Sequence, residues 1–233
     1  GEKLKAAADL HRQQQSNSAS ASGRFCGKSG FFFSTVAGRI GRSVLGPIRK
    51  RQYEPGHSGM NPDIYEALRL VAELTQLDLV RQIRLDASFR PRAVVYTDAF
   101  FDSLKKFGLG AVTFLLDATT PRRPSSATYS LAPAAVLEYF DERKHYSGVL
   151  ELFAVYAQLF ENRKQLAGRD VNFFVDNVGV LAQLTKGSSG AEDLGPIVGA
   201  VHFLLVWYDI RAWWEYVESA SNTVSYTHLR AHE

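Results

Sequence analysis

The sequence predicts an α/β domain built on a mixed sheet, and three observations support this class. From residue 90 onward, short β-branched and aromatic runs alternate with amphipathic stretches. Their predicted order is three strands, a helix, a strand, two helices and a last strand, which is typical of α/β domains. The 233 residues are also enough for one such domain with an attachment.

The strands of this domain are predicted from short apolar runs. Two are clear: AVVYTDAFF (93–101) ends a few residues after an aspartate, and GLGAVTFLLD (108–117) begins at glycines suited to a turn. TTPRRPSSAT (119–128) is predicted to be a loop, and the third strand is placed within AAVLEYF (134–140). The continuously apolar VNFFV (171–175) is typical of a strand buried on both faces.

The helices and the last strand follow from periodicity. An amphipathic helix is predicted over 146–166 and ends before Gly168, and a second helix follows over about 177–185. A long helix is expected through IVGAVHFLLVWYDIRAWW (197–214), and 214–219 is expected to be the last strand. The aromatic residues Trp207, Trp213, Trp214 and Tyr216 are expected to pack in the core, the alternative being that they stack on bases.

The region before residue 91 differs from the rest in composition and in its predicted secondary structure. Residues 1–24 are polar and include the low-complexity SNSASAS, so they are predicted to be disordered. Residues 25–90 are predicted to be a small helical segment. Its clearest helix covers 61–75, where Asn61 is the cap, Pro62 takes the first helical position and apolar residues repeat every three or four residues.

Charge is distributed unevenly along the chain. Residues 1–53 carry ten lysines and arginines against two acids, whereas the remainder carries seventeen against twenty-two. A basic arm beside an acidic body is typical of a chain that meets phosphates. The basic residues predicted to face outward and contact a nucleic-acid backbone are Arg39, Arg42, Arg49, Lys50 and Arg51. The alternative is a merely solvated leader.

Several classes of protein are disfavoured by composition. No apolar run reaches the roughly 18–20 residues that span a bilayer, and the first residues lack the apolar segment of a secretory signal. A single cysteine, Cys26, excludes an internal disulfide framework and suits a reducing compartment. We therefore expect an intracellular protein without a membrane partner. The histidines lack ligand-like spacing, and His202 is expected to be a hydrogen-bonded core residue.

Three acids carry the functional prediction. Asp98 is placed at the end of the first strand, Glu151 in the first turns of the 146–166 helix, and Asp176 at the end of the fourth strand. If strands one and four are parallel neighbours, both aspartates meet at one end of the sheet, and the helix brings Glu151 there. Such a cluster repels itself unless cations neutralise it, and carboxylate oxygens suit Mg²⁺. The alternatives are that Asp176-Asn177 caps the next helix and that Glu151 is an ordinary exposed helix residue.

The chain resembles a known family at these residues. TDAF, LELFAVYAQL and FFVDNVGVLAQLTKGSS are similar to the ribonuclease H domain of retroelement reverse transcriptases, above all those of DIRS-type retrotransposons. The resemblance covers about residues 91–222. It implies a ribonuclease H-like mixed five-stranded sheet flanked by helices, preceded by a thumb or connection segment over 25–90.

The resemblance also implies an activity. It implies a hydrolase that cleaves the RNA strand of RNA–DNA hybrids with two Mg²⁺ ions, Mn²⁺ being a substitute, held by Asp98, Glu151 and Asp176. The implied partners are the hybrid or template–primer and the polymerase region of the same element protein. Two alternatives remain: a catalytically silent nucleic-acid-binding scaffold, and a 3′ exonuclease, for which Asp98-Ala99-Phe100 lacks the usual second acid.

The sequence departs from the family pattern in two places. Phe100 is bulky where the family has a small residue two places after its first aspartate. The likeness stops after Asn222, which leaves Ser225 where the fourth acid is expected. The ending VSYTHLRAHE resembles translated sequencing-adapter sequence, so residues 223–233 are expected to be non-native. We therefore expect the activity of this chain to be impaired.

Overall fold

The protein forms two compact units, residues 1–82 and 83–233, each described by itself below. The computed structural model describes residues 1–77, 79, 90–101, 107–117, 123–132 and 134–224. Ser225, His228 and His232 lie outside the described residues. Among the described residues, no helix is long and apolar enough to cross a membrane.

The first unit is helical. Its helices are α1 (Glu2–Gln14), α2 (Ala19–Val36), α3 (Ile40–Val44), α4 (Gly46–Arg51) and α5 (Pro62–Leu74). The Asn61 side chain caps α5 by accepting a hydrogen bond from the backbone N–H of Ile64 at 2.8 Å, as the sequence predicted. Ile64, Leu68 and Val71 form its buried face.

Residues 1–24 differ from the expected disorder, because they contain α1 and the beginning of α2. Ser18 caps α2 by accepting from the backbone N–H of Ala21, and Leu4 and Ala8 of α1 are buried. α1 packs along α5. Polar composition predicted a solvated segment, but Leu4 and Ala8, four positions apart on one helix face, are buried where α1 packs on α5.

The second unit contains a five-stranded mixed sheet. Its strands are β1 (Arg92–Phe101), β2 (Phe107–Leu115), β3 (Ser126–Ala132), β4 (Asp170–Val175) and β5 (Arg211–Tyr216), and its helices are α6 (Ser147–Leu166), α7 (Val178–Lys186) and α8 (Gly195–Trp207). The strands lie in the order β3-β2-β1-β4-β5. β2 is antiparallel to both of its neighbours, whereas β1, β4 and β5 are parallel. The predicted α/β class and mixed sheet with flanking helices are confirmed.

The core of this unit lies on one face of the sheet. Alternate residues of the central strands, including Val95 and Phe173, are buried in one cluster with apolar residues of α6, α7 and α8. A polar contact inside this layer ties α6 to two strands: Gln158 donates to Thr113 Oγ1 at 2.8 Å and accepts from Thr128 Oγ1 at 2.9 Å. His202 contacts the Leu184 carbonyl oxygen at 3.0 Å, which confirms its predicted place in the core.

The third strand was predicted in the wrong segment. β3 covers residues 126–132, which partly overlap the predicted loop, and residues 134–139 form a 3₁₀ helix instead. β3 is an edge strand whose side chains are mostly exposed, so it lacks the apolar character used to predict strands. The apolar residues of 134–140 are explained by packing outside the sheet: Phe140 is buried and Val136 packs against the core.

The long C-terminal helix is shorter than predicted. α8 ends at Trp207, and Asp209 adopts a left-handed φ of 49° that separates the helix from β5. Trp214 packs on Phe173 with 4.7 Å between ring centroids, whereas Trp207 and Trp213 are more than half exposed. The prediction that these tryptophans all pack in the core was therefore wrong. Trp207 is the last residue of α8, and Trp213 lies on an edge strand, which exposes alternate side chains.

Candidate active site

The two aspartates lie at the same end of the sheet. β1 and β4 are parallel neighbours, and their register pairs Tyr96 with Phe174. Asp98 and Asp176 each follow two residues later, so both lie at this end of the sheet; Asp98 lies within β1, three residues before its last residue and not at its end as predicted, and Asp176 directly follows β4. The conditional prediction of a parallel pair is confirmed, and it brings together two acids that are 78 positions apart in the sequence.

Glu151 is buried beside them. It lies in the second turn of α6, between Leu150 and Leu152, which are both fully buried, and only 9% of its surface is exposed. α6 packs against β1. Glu151 is therefore not an ordinary exposed helix residue, because a carboxyl group is buried in this way only when a partner or a function compensates for lost hydration.

Asn177, and not Asp176, caps the following helix. Its side-chain oxygen accepts hydrogen bonds from the backbone N–H groups of Gly179 at 2.9 Å and Val180 at 3.1 Å. Its amide Nδ2 donates to Glu151 Oε1 at 3.4 Å. Asp176 is thus released from the capping role that was its main alternative, and one asparagine links the start of α7 to the buried glutamate.

The neighbouring acids shift the pKa of Glu151. The pKa of Glu151 is raised to about 9, mainly by burial and then by the hydrogen-bonding contact with Asp176 and the negative charge of Asp176. The charge of Asp98 acts in the same direction, whereas the hydrogen bond from Asn177 opposes the shift. Both predicted aspartates therefore act on Glu151, Asp176 through contact and charge and Asp98 through its charge.

Two buried oxygens of this pair have no hydrogen-bond donor among the residues that the structure describes. They are Glu151 Oε2 and Asp176 Oδ1. When both groups are ionised, neither carboxylate offers a proton to the other, so each oxygen remains an unsatisfied acceptor. Hard divalent cations are bound by oxygens of this kind, and the two residues fit such an ion. Within the described ranges, however, no three His, Cys, Asp or Glu side chains form a ready-made metal-holding group.

The chain after β5 returns to this end of the sheet and contributes residues that the sequence analysis missed. Ser219 Oγ donates to Asp176 Oδ2 at 3.0 Å. Asn222 is 1% exposed and donates to the carbonyl oxygen of Thr97, the residue before Asp98, at 3.0 Å. No local signal marks either contact, because each joins positions more than 40 residues apart.

The predicted basic residues all lie in the first unit. Arg39, Arg42, Arg49 and Lys50 are exposed, in keeping with the prediction that they face outward. Arg51 is not, because it is 5% exposed and its Nε lies 3.1 Å from Glu54 Oε2. Arg51 at the end of α4 is therefore committed to an internal ion pair, and the predicted basic cluster is reduced to its exposed members.

Comparison with known proteins finds similarity only in structure. No protein-family model matches the chain, and no curated protein matches it in sequence. Ribonuclease H1 from the archaeon Halobacterium salinarum is similar at a TM-score of 0.46 and 17% identity, over 58% of this chain and 92% of that one. The N-terminal ribonuclease H domain of a Mycobacterium tuberculosis protein is similar at 0.45 and 15%, over 61% and 99% respectively. The prototype foamy virus protease–reverse transcriptase is similar at 0.39 and 16%, over 75% of this chain and 26% of that one.

Proposed function

We propose that this chain contains the ribonuclease H-type nuclease domain of a retroelement reverse transcriptase of the DIRS type, which cleaves the RNA strand of RNA–DNA hybrids. The observation that carries the proposal is the buried contact of Glu151 with Asp176, with Asp98 acting on the same glutamate at the same end of a mixed sheet. The retroelement context rests on the resemblance of the TDAF, LELFAVYAQL and FFVDN segments.

The residues that would hold Mg²⁺, or Mn²⁺ in its place, are Asp98, Glu151 and Asp176. When bound, the metal supplies an activated water and stabilisation of the leaving oxygen. Asp98 is positioned by the backbone of β1 and Asp176 directly follows β4, and Asp98 Oδ1 also accepts from the backbone N–H of Ala99 at 2.9 Å. Ser219 occupies one oxygen of Asp176 and leaves the other, buried oxygen available.

Glu151 must lose a proton to act as a ligand. Because its pKa is raised to about 9, a bound cation has to compete with a proton at neutral pH. Asn177 opposes this shift and fixes the orientation of the carboxyl group through Oε1. We therefore expect a nuclease that needs a lower Mg²⁺ concentration for cleavage as pH rises from 7 to 9.

A hybrid-cleavage assay tests the proposal. A duplex with an end-labelled RNA strand is incubated with Mg²⁺ and the full chain, its Asp176→Asn variant or its Glu151→Gln variant. Glu161→Gln is the matched control, because Glu161 is an exposed residue of the same helix. We expect cleavage by the parent and the control, and loss of at least about 100-fold in the two site variants. Equal cleavage by the parent and Asp176→Asn would exclude this site.

The position of Ser225 predicts weak binding of the second ion, because the resemblance expects an acid there. Cleavage by the parent should require high Mg²⁺, and Ser225→Asp should shift the Mg²⁺ titration to lower concentration. Full cleavage by the parent at low Mg²⁺ would contradict the idea of a missing ligand.

A second function is favoured by one observation, the lack of a ready-made group of three metal ligands within the described part of the chain. It is a catalytically silent domain that binds the template–primer, with the exposed Arg39, Arg42, Arg49 and Lys50 on the nucleic-acid backbone. Hybrid binding by the parent without cleavage at any Mg²⁺ or Mn²⁺ concentration would support the scaffold. Binding kept by Asp176→Asn while cleavage is lost would support the nuclease.

A further inference from the structure

A pair of aromatic rings, one partly buried and one exposed, adjoins the acid site. Phe100 follows Asp98 by two residues on β1, so both side chains project from the same sheet face. The Phe100 ring lies beside that of Tyr129 on β3, with 6.3 Å between centroids and 6° between planes. Tyr129 is 49% exposed, and we call Phe100 and Tyr129 the aromatic shelf.

The shelf depends on the strand that lies beneath it. β2 runs between β1 and β3, and its register sets Gly108 opposite Phe100 and Gly110 opposite Asp98. A Cβ atom at Gly108 would lie 2.2 Å from Phe100 Cε1, so the ring occupies the space that a side chain there would fill. Gly108 thus allows Phe100 to reach across β2 toward Tyr129.

The main apolar core does not include the shelf. Among the described residues, the core cluster that contains Val95 and Phe173 lies on the opposite face of the sheet and contains neither ring. Tyr129 lies on an edge strand, where a polar side chain would also be tolerated. Two parallel rings, of which Tyr129 is 49% exposed, offer a flat apolar surface to another molecule.

We propose that the aromatic shelf binds the sugar of the nucleotide next to the phosphate that is cleaved, and so positions an RNA–DNA hybrid on the proposed nuclease site. Residues two apart on a strand are separated by about 6.6 Å. A nucleotide next to a phosphate bound at the acid site would therefore lie within reach of Phe100.

The sugar is the expected contact because of the geometry of the duplex. Bases in a hybrid stack on one another, whereas the wide, shallow minor groove of an A-form-like duplex displays the sugars. The apolar face of a sugar fits a flat aromatic surface, and it offers a contact that does not depend on base sequence. The shelf thereby replaces the small residue that the resemblance led us to expect at position 100.

A binding measurement separates this proposal from the nuclease proposal. The affinity of the full-length Asp176→Asn chain for a fluorescent RNA–DNA hybrid is measured by anisotropy in Ca²⁺, with and without Tyr129→Thr. Threonine suits an edge strand and removes the ring. We expect the Kd to rise roughly 5–10-fold, within the range of losses seen when aromatic contacts to nucleic acid are removed. Tyr129→Phe should restore it, and Phe100→Leu, which keeps an apolar residue over Gly108, should weaken binding as Tyr129→Thr does.

The control is Trp213→Ala, which removes a 65% exposed ring at the opposite edge of the sheet. Unchanged hybrid affinity in Tyr129→Thr, or an equal loss in Trp213→Ala, would overturn the shelf even if the parent cleaves hybrids. A larger effect on single-stranded RNA than on the hybrid would overturn the sugar contact. If the Asp176→Asn chain does not bind the hybrid, the proposed binding role of the aromatic shelf is wrong. Cleavage by the parent then tests the nuclease proposal separately. If Tyr129→Thr weakens hybrid binding but the parent does not cleave, only the nuclease proposal is wrong, and the shelf remains a binding surface.

Discussion

The buried carboxyl group of Glu151 predicts a specific dependence of stability on pH. Its pKa is raised to about 9 in the folded chain, whereas an unfolded glutamate titrates near 4.5. Between these values the folded state holds a proton that the unfolded state has released. Stability linked to Glu151 is therefore fully present below about pH 4.5 and is lost as pH rises toward 9.

The size of this effect follows from the proton difference. One proton changes the free energy of unfolding by about 1.4 kcal/mol per pH unit. From pH 6 to pH 8 this is at most about 3 kcal/mol, and roughly 2 kcal/mol after solvent screening at a partly accessible site. For a unit of about 150 residues, that corresponds to a fall in Tm of roughly 4–8 °C.

Thermal unfolding without divalent cations measures the effect in the parent, Glu151→Gln and the exposed control Glu161→Gln. We expect the parent and the control to lose stability between pH 6 and pH 8 more steeply than Glu151→Gln, which cannot ionise. Added Mg²⁺ should flatten the slope of the parent, because a cation favours the ionised carboxylate. Parallel pH profiles for the parent and Glu151→Gln would refute the buried, charge-coupled carboxyl group.

Three further predictions concern residues that support the site. Asn177→Ala should lower the free energy of unfolding by about 1 kcal/mol in urea denaturation, through loss of the cap, and Asn177→Ser should recover much of it; equal losses would show that capping is not its role. Gly108→Ala should destabilise by about 1–3 kcal/mol because of the clash with Phe100, and the double variant with Phe100→Ala should be less than additive; additivity in a double-mutant cycle would refute the contact. Gln158→Leu should cost about 1–3 kcal/mol in the same assay, because it leaves the buried hydroxyl of Thr113 without its partner and removes the contact with Thr128, and a neutral result would contradict the network.

Whether a helix or strand could be predicted from the sequence depended on how deeply it is buried. β1, β2, β4 and α6 were found from sequence because they are central and their apolar patterns are strong. β3 was missed because an exposed edge strand has no apolar pattern to detect. The end of α8 was missed because an unbroken apolar run has no period that distinguishes helix from strand, and the left-handed residue that separates them is an ordinary Asp209.

The sequence by itself determined which acids to examine and the kind of sheet that carries them. Asp98 and Asp176 are recognisable because apolar strands precede them, and Glu151 because its helix follows at the expected place. Only the tertiary structure decided that Asn177 is the cap, that Ser219 contacts Asp176, that Arg51 is buried and that Phe100 lies over Gly108 toward Tyr129. The physical reason is that periodicity and turn chemistry act between near neighbours in sequence, whereas these contacts, Asn177 and Arg51 apart, join residues on different strands and loops once the sheet has formed.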